Sequence, residues 1–183
     1  MNVKRKSESQ VEMTQLMLPS HSNFSGKIHG GYILNLMDQI AFACASKHSE
    51  QYCVTASVNK VNFLNPIEVG ELVTLKASIN YTGNTSMVVG VRVESENIRT
   101  KTVKHCNSSY FTMVAKNENG INVEVPGIYL ESENDVRLFA RSIETRAESK
   151  LRNKKFHSKH FVIEDHLEEI KNQNAILEFL DNE

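Results

Sequence analysis

The stretch PSHSNFSGKIHGGYILNLMDQIAFACASKH, residues 19–48, decides how this chain is built. Between Gly30 and Ser46 the apolar residues Ile33, Leu34, Leu36, Met37, Ile40, Ala41, Phe42, Ala43, Cys44 and Ala45 fall on every side of a helical projection. A helix of that kind is expected to be buried nearly all round. Its polar interruptions are Tyr32, Asn35, Asp38 and Gln39, and only Asp38 can carry charge. A carboxylate in such a setting must be paired, protonated or put to work. Upstream, Gly26, Gly30 and Gly31 stand at the helix start. Unbonded backbone N–H groups and the positive end of the helix dipole make that position a receptor for an oxyanion or a phosphate.

Outward from this helix, hydrophobic alternation takes over. Val11 to Leu18 forms a short mixed run stopped by Pro19 and is read as a first strand. Tyr52 to Leu64 sets Val54, Ala56 and Val58 against Thr55, Ser57 and Asn59 before Asn65-Pro66. Leu72 to Tyr81 alternates again, Gly83-Asn84 turns the chain, Met87 to Glu96 is valine-rich, and Val103 to Ala115 completes the series. One apolar helix with an antiparallel sheet can bury itself only if the sheet wraps it, which makes the fold class α+β.

Residues 1–9 are polar and expected to fray. From Pro126 onward the composition becomes charged and helical, so residues 127–183 are assigned to a C-terminal helical extension. One helix is expected between Glu133 and Lys154. A second, from about Ile163 to Leu180, carries Ile163, Leu167, Ile170, Asn174 and Leu177 at heptad-like steps. It is read as an amphipathic helix docked on its own body or a neighbouring subunit, with partner binding as the alternative.

Composition removes several function classes. The 183 residues carry a net charge of -1, so no global basic field advertises nucleic acid or an anionic membrane. Cys44, Cys53 and Cys106 are odd in number and unclustered, which suits reduced thiols in the cytoplasm. His21, His29 and Cys44 have no metal-ligand spacing, and no metal is expected. No segment approaches the roughly 20 apolar residues of a membrane span.

The pattern N-x-x-G-x-x-x-G-G at Asn23 to Gly31, with Asp38 seven residues later, resembles the acyl-CoA hydrolase branch of the hot-dog thioesterases. Two further stretches carry the same resemblance. One is Ser57 to Glu71, with Asn62-Phe63, Pro66 and Gly70. The other is the turn Gly83-Asn84-Thr85-Ser86-Met87. Together they cover residues 10–126, which are taken as the hot-dog domain.

The resemblance implies hydrolysis of a fatty acyl-CoA to fatty acid and coenzyme A. Asp38 is then the catalytic carboxylate, and Asn23 faces it across a dimer interface from the other subunit. Asn62 and the turn residues Asn84, Thr85 and Ser86 belong to the coenzyme A contacts, with Arg92, Arg99, Lys101 and Lys104 as candidate cations nearby. No cofactor is expected, because coenzyme A is part of the substrate. Hot-dog sheets pair edge to edge, so at least a homodimer, and a trimer of dimers, is expected.

Thioester cleavage needs a water made nucleophilic, or a carboxylate attacking directly, and donors for the carbonyl oxygen as it gains charge. The expectation is that Asp38 supplies the first and the Gly31 N–H with the helix dipole the second. Gly30 and His29 line the same helix start, with His29 positional. Each assignment has a structural counterpart. Asp38 would otherwise be a carboxylate held by Ser or Thr of the sheet, and Asn23 a turn-former. The competing function is an acyl-CoA sensor without turnover that signals through its tail.

Overall fold

The computed structural model describes residues 2–157, 159 and 161–175. They form two compact units that divide between Ser142 and Ile143. The first begins with a two-residue strand, β1 (Val3–Lys4), and one helical turn, α1 (Lys6–Ser9). This corrects the expectation of a frayed start. β1 pairs in parallel with β7 (Gly127–Ile128), and Lys4 Nζ donates to the His48 carbonyl at 2.9 Å. Backbone pairing and a buried side-chain anchor hold a segment whose own residues carry no pattern.

Between these ends lie β2 (Val11–Leu16), α2 (Gly30–Ser49), β3 (Tyr52–Val58), β4 (Leu72–Thr82), β5 (Ser86–Asn97) and β6 (Thr102–Lys116). The five long strands form one antiparallel sheet in the order β2-β4-β5-β6-β3, so β2 and β3 are its edges. α2 lies in the curl of the sheet. Ile33, Met37, Ile40, Ala41 and Cys44 are at most 2% exposed and share one core with Val73, Leu75, Val89, Phe111 and Met113. Each large side chain buried in this way contributes roughly 1.5–3 kcal/mol.

The helix is not buried all round. Gly31, Asn35, Asp38, Gln39 and Phe42, spaced to fall on one face, are exposed in the single chain. The sheet encloses the opposite face and stops at the β3 edge.

Two buried polar groups brace this frame. Glu71, 4% exposed, accepts the Glu68 N–H at 3.0 Å, the Ser95 hydroxyl at 2.5 Å and Lys104 Nζ at 2.9 Å. Burial alone would raise its pKa, but these donors outweigh it and hold the carboxyl below its ordinary value.

His48 is fully buried at the end of α2, with Nδ1 3.2 Å from Ser9 Oγ and Nε2 3.1 Å from the Pro126 carbonyl. Burial disfavours the imidazolium and pushes its pKa below 6.5. The fold therefore binds the neutral ring. The stabilisation this gives is complete above about pH 6.5 and is lost as pH falls below it, because the unfolded chain takes up a proton that the folded chain lacks. Urea midpoints are expected to fall between about pH 7.5 and 5.5, and His48→Gln should flatten that slope.

α3 (Glu133–Lys155) matches the expected first helix of the extension. Its opening turns belong to the first unit, where the Phe139 ring meets Tyr81 at 4.9 Å. In the second unit, Phe156 and Phe161 gather around His166 with ring centroids 5.7 and 4.9 Å away. The expected helix from Ile163 to Leu180 is shorter: a 3-10 turn (Glu164–His166) leads into α4 (Leu167–Lys171), which stops at Asn172. Asn favours turns over helix interiors, so the heptad reading breaks before Asn174. Leu177 and Leu180 lie outside the described residues.

Candidate active site

Asp38 sits two turns into α2 on its exposed stripe, and Thr55 of β3 donates its hydroxyl to Asp38 Oδ1 at 2.6 Å. A carboxylate held by one short hydrogen bond, with no partner on its second oxygen among the described residues, is oriented and still able to take a proton from a water. β3 and β6 slip register between Thr55 and Ser57, a bulge that re-aims side chains at this edge. From sequence, a Ser or Thr partner in the sheet is the structural alternative to catalysis, and Thr55 is such a partner, holding Asp38 on an exposed face. Thr55 was missed as a site residue. The one signal was a hydroxyl residue in the strand after the helix.

At the start of α2, His29 is the N-cap, and its Nδ1 accepts the Gly31 N–H at 3.0 Å. A neutral ring accepting there carries its proton on Nε2. The Tyr32 N–H donates to the His29 carbonyl at 3.0 Å. The Gly30 N–H has no partner among the described residues. The donor expected at Gly31 is thus already occupied, and the free one at the helix start is that of Gly30. Gly30 also lies close under the Phe63 ring: a Cβ there would stand 3.1 Å from it, tight enough to push that exposed ring aside.

Asn23 leads the exposed loop before the helix. Its Oδ1 accepts the Ser25 N–H at 3.0 Å, the Ser25 hydroxyl at 2.7 Å and the Lys27 N–H at 3.2 Å. The oxygen makes the turn, and Nδ2 has no partner among the described residues. Phe24 beside it is fully exposed, and Lys27 pairs with Glu68. Asn62 is exposed on the segment that follows β3 along β6, where Leu64 N–H donates to the Cys106 carbonyl at 2.8 Å.

The turn carrying Asn84, Thr85 and Ser86 closes the β4–β5 hairpin, with the Gly83 N–H donating to the Ser86 carbonyl at 2.7 Å. Ser86 aligns with Val114 of β6, and Val114 with Val54 of β3. The turn therefore lies two strand spacings, about 10 Å, from the strand that holds Thr55. The cations expected beside it are elsewhere. Arg99 and Lys101 occupy the β5–β6 hairpin at the far end of the 12-residue β5, on the order of 35 Å away. Lys104 pairs with Glu71, and Arg92, held by Glu94 through Nε alone, lies mid-strand on β5 away from the turn. The sequence placed them near by number, and an extended strand carries them apart.

The cysteines take no part. All three are buried and unpaired, and burial pushes the Cys44 thiol up to about 12. Among the described residues no three His, Cys, Asp or Glu side chains gather as metal ligands.

Removing the Thr55 hydroxyl tests this geometry. A hydrogen bond to a charged group is worth about 1.5–3 kcal/mol, so Thr55→Val should lower kcat/KM for acyl-CoA roughly 10- to 100-fold with an unchanged circular dichroism spectrum.

The family model described as the thioesterase superfamily matches residues 25–102. The chain is 42% identical over 134 residues to Protein VdlD of Helicobacter pylori, covering 73% of this chain and 76% of that one. It is 33% identical over 151 residues to the uncharacterized acyl-CoA thioester hydrolase YkhA of Bacillus subtilis, covering 82% and 87%. The crystal structure of an apo-hexameric acyl-CoA thioesterase superposes with a TM-score of 0.81 at 34% identity, covering 83% of this chain and 97% of that one. The acyl-CoA hydrolase of Staphylococcus aureus, solved with butyryl coenzyme A and coenzyme A, superposes at 0.76 with 29% identity, covering 83% and 94%. With its curled five-stranded sheet around one long helix, the chain belongs to the acyl-CoA thioester hydrolases of the thioesterase superfamily, the hot-dog fold.

Proposed function

We propose that the protein hydrolyses fatty acyl-CoA to the free fatty acid and coenzyme A, with Asp38 as general base or nucleophile. The observation that carries this reading is the Asp38–Thr55 pair on an exposed helix face that begins at an unengaged Gly30 N–H. Within one chain Gly30 and Asp38 stand eight residues, about 12 Å, apart along α2, so the thioester carbonyl oxygen on which Asp38 works sits at the helix start of the second copy, where that copy's Gly30 N–H and dipole polarise it. In the base mechanism Asp38 takes a proton from water, the resulting hydroxide adds to the carbonyl carbon, the carbon–sulfur bond breaks and the thiolate leaves. As nucleophile it would form a mixed anhydride that water then opens.

The spacing of residues supports these roles. Three variants of the S. aureus enzyme were solved with an asparagine, an aspartate and a threonine each replaced by alanine. Those positions lie 15 and 17 residues apart, as do Asn23, Asp38 and Thr55.

Asn23 of a second copy completes the site, offering its Nδ2 to the water or the substrate. Phe24, Phe42, Tyr52, Val58 and Phe63 are exposed apolar residues around the loop, the helix stripe and the β3 edge. Exposed apolar side chains of this kind, with the Phe42 and Tyr52 rings in contact at 5.6 Å, suit another subunit. A homodimer, and from it a trimer of dimers, is part of the same reading, for which two hexameric structural neighbours speak, as is a cytoplasmic location for three reduced thiols.

The test is free-thiol release from short, medium, long and aromatic acyl-CoAs by the purified protein beside Asp38→Ala. Release by the unmodified protein alone supports the reading and reports chain-length preference. Binding of acyl-CoA with no release across the panel overturns it in favour of the sensor.

A further inference from the structure

On the sheet face turned away from α2, three departures from ordinary strand chemistry meet at one place. Gly90 interrupts the valine-rich β5, where glycine weakens a strand unless something approaches closely. The ladder between β4 and β5 slips between Ile79 and Tyr81, which brackets Asn80 in a bulge. Asn80, 5% exposed, lies across Gly90, and a Cβ on residue 90 would stand 2.2 Å from Asn80 Nδ2. Its Oδ1 accepts from Ser78 Oγ at 3.4 Å, while Nδ2 has no partner among the described residues.

These residues floor a cavity of about 610 Å³, the size of small-molecule sites. The register sets Ser78, Gly90 and Tyr110 in one row across the sheet and Lys76, Arg92 and Ser108 in the next. The opening turns of α3 form the wall, with Arg137 and Leu138. Arg141 lies 5.0 Å over the Tyr110 ring, which fastens that helix to the sheet.

The lining is rich in donors. Glu94 accepts Lys76 Nζ and Arg92 Nε, each at 2.8 Å, which leaves the terminal nitrogens of Arg92 free of that pair. Arg137 gives one nitrogen to Asn134 Oδ1 at 2.7 Å. Three cations, Lys76, Arg92 and Arg137, stand against Glu12 and Glu94, so the lining keeps a net positive charge. Guanidinium groups on two elements, with an amide and hydroxyls between them, suit an anion presenting oxygens in several directions.

We propose that this cavity binds a small phosphate-bearing anion, separately from the thioester site on the other face of the sheet. The probe is pyrophosphate, titrated calorimetrically into the full-length protein at low ionic strength, with acetate as the carboxylate comparison. One saturable site per chain is expected, and acetate should bind at least tenfold more weakly. Arg137→Gln, on the surface of α3, should weaken pyrophosphate at least tenfold without altering thioester hydrolysis. Asp38→Asn should bind it as the unmodified protein does, so failure of the catalytic reading and failure of this one are distinguishable. Absence of binding, unchanged affinity in Arg137→Gln, equal affinity for acetate, or displacement by excess coenzyme A would each overturn the proposal. Displacement by coenzyme A would assign the cavity to the substrate's own phosphates.

Discussion

Asp38→Asn should lower kcat on acyl-CoA by a factor of about 10²–10⁴, the usual contribution of a positioned acid–base group, with KM little changed. Turnover and fold separate cleanly at this position. Asp38 is exposed in the single chain, and its hydrogen bond among the described residues comes from the Thr55 hydroxyl, which an amide oxygen can still accept. The thermal midpoint and far-ultraviolet spectrum of the variant are therefore expected to match those of the unmodified protein. A variant that folds and retains full turnover would remove Asp38 from the mechanism. The Thr55→Val variant adds a second comparison, since the two changes act on one hydrogen-bonded unit and should be less than additive in ΔΔG‡.

The largest effect on stability is expected from Lys104→Met. Taking one partner from a fully buried ion pair costs about 3–5 kcal/mol. The Lys104 side chain is 28% exposed and Glu71 keeps the Glu68 N–H and the Ser95 hydroxyl, which lowers the expected cost of Lys104→Met to about 1–3 kcal/mol, read from the urea midpoint at constant m. The pair also has a pH signature. Because the folded carboxyl titrates below its ordinary value, its contribution is present above about pH 4.3 and is lost as pH falls through the folded pKa. Lys104→Met should shrink that acid-side loss. The His48 contribution fades first, starting near pH 6.5, so acid unfolding should proceed in two stages of slope.

Much of this architecture can be read from residue spacing. The strand runs survive as period-two alternation, and the Gly30-to-Ser49 helix is recognisable because ten apolar residues crowd around three glycines and one carboxylate. The same crowding misled on burial. The stripe that stays exposed is mostly the polar interruptions themselves, Asn35, Asp38 and Gln39, together with Gly31, and on it only Phe42 has the composition of a core. The N-terminal strap was invisible because two residues of β1 carry no period, and their partner lies at the far end of the unit.

At the site, Asp38 stood out as a charge among apolar residues, and Asn23 only through the resemblance carried by its spacing to Gly26, Gly30 and Gly31. Choosing between Gly30 and Gly31 as donor required knowing where the His29 ring points. Histidine is not among the strongly preferred N-caps, so its role there was not evident from residue type. The cations show the limit of numbering as a guide to distance: Arg99 is close to Ser86 along the chain and a whole strand away in space.

The joining of β1 to β7, with His48 clamped between Ser9 and Pro126, also bears on how the chain reaches this state. These contacts unite the two ends of the first unit, so the intervening chain has to be organised before they can form at tolerable entropic cost. The clasp should accordingly be the last part to close during folding and the first to open under native conditions. Amide hydrogens at Gly127 and Tyr129 should exchange through local opening, well ahead of those of β4 and β5, whose protection reports the global transition.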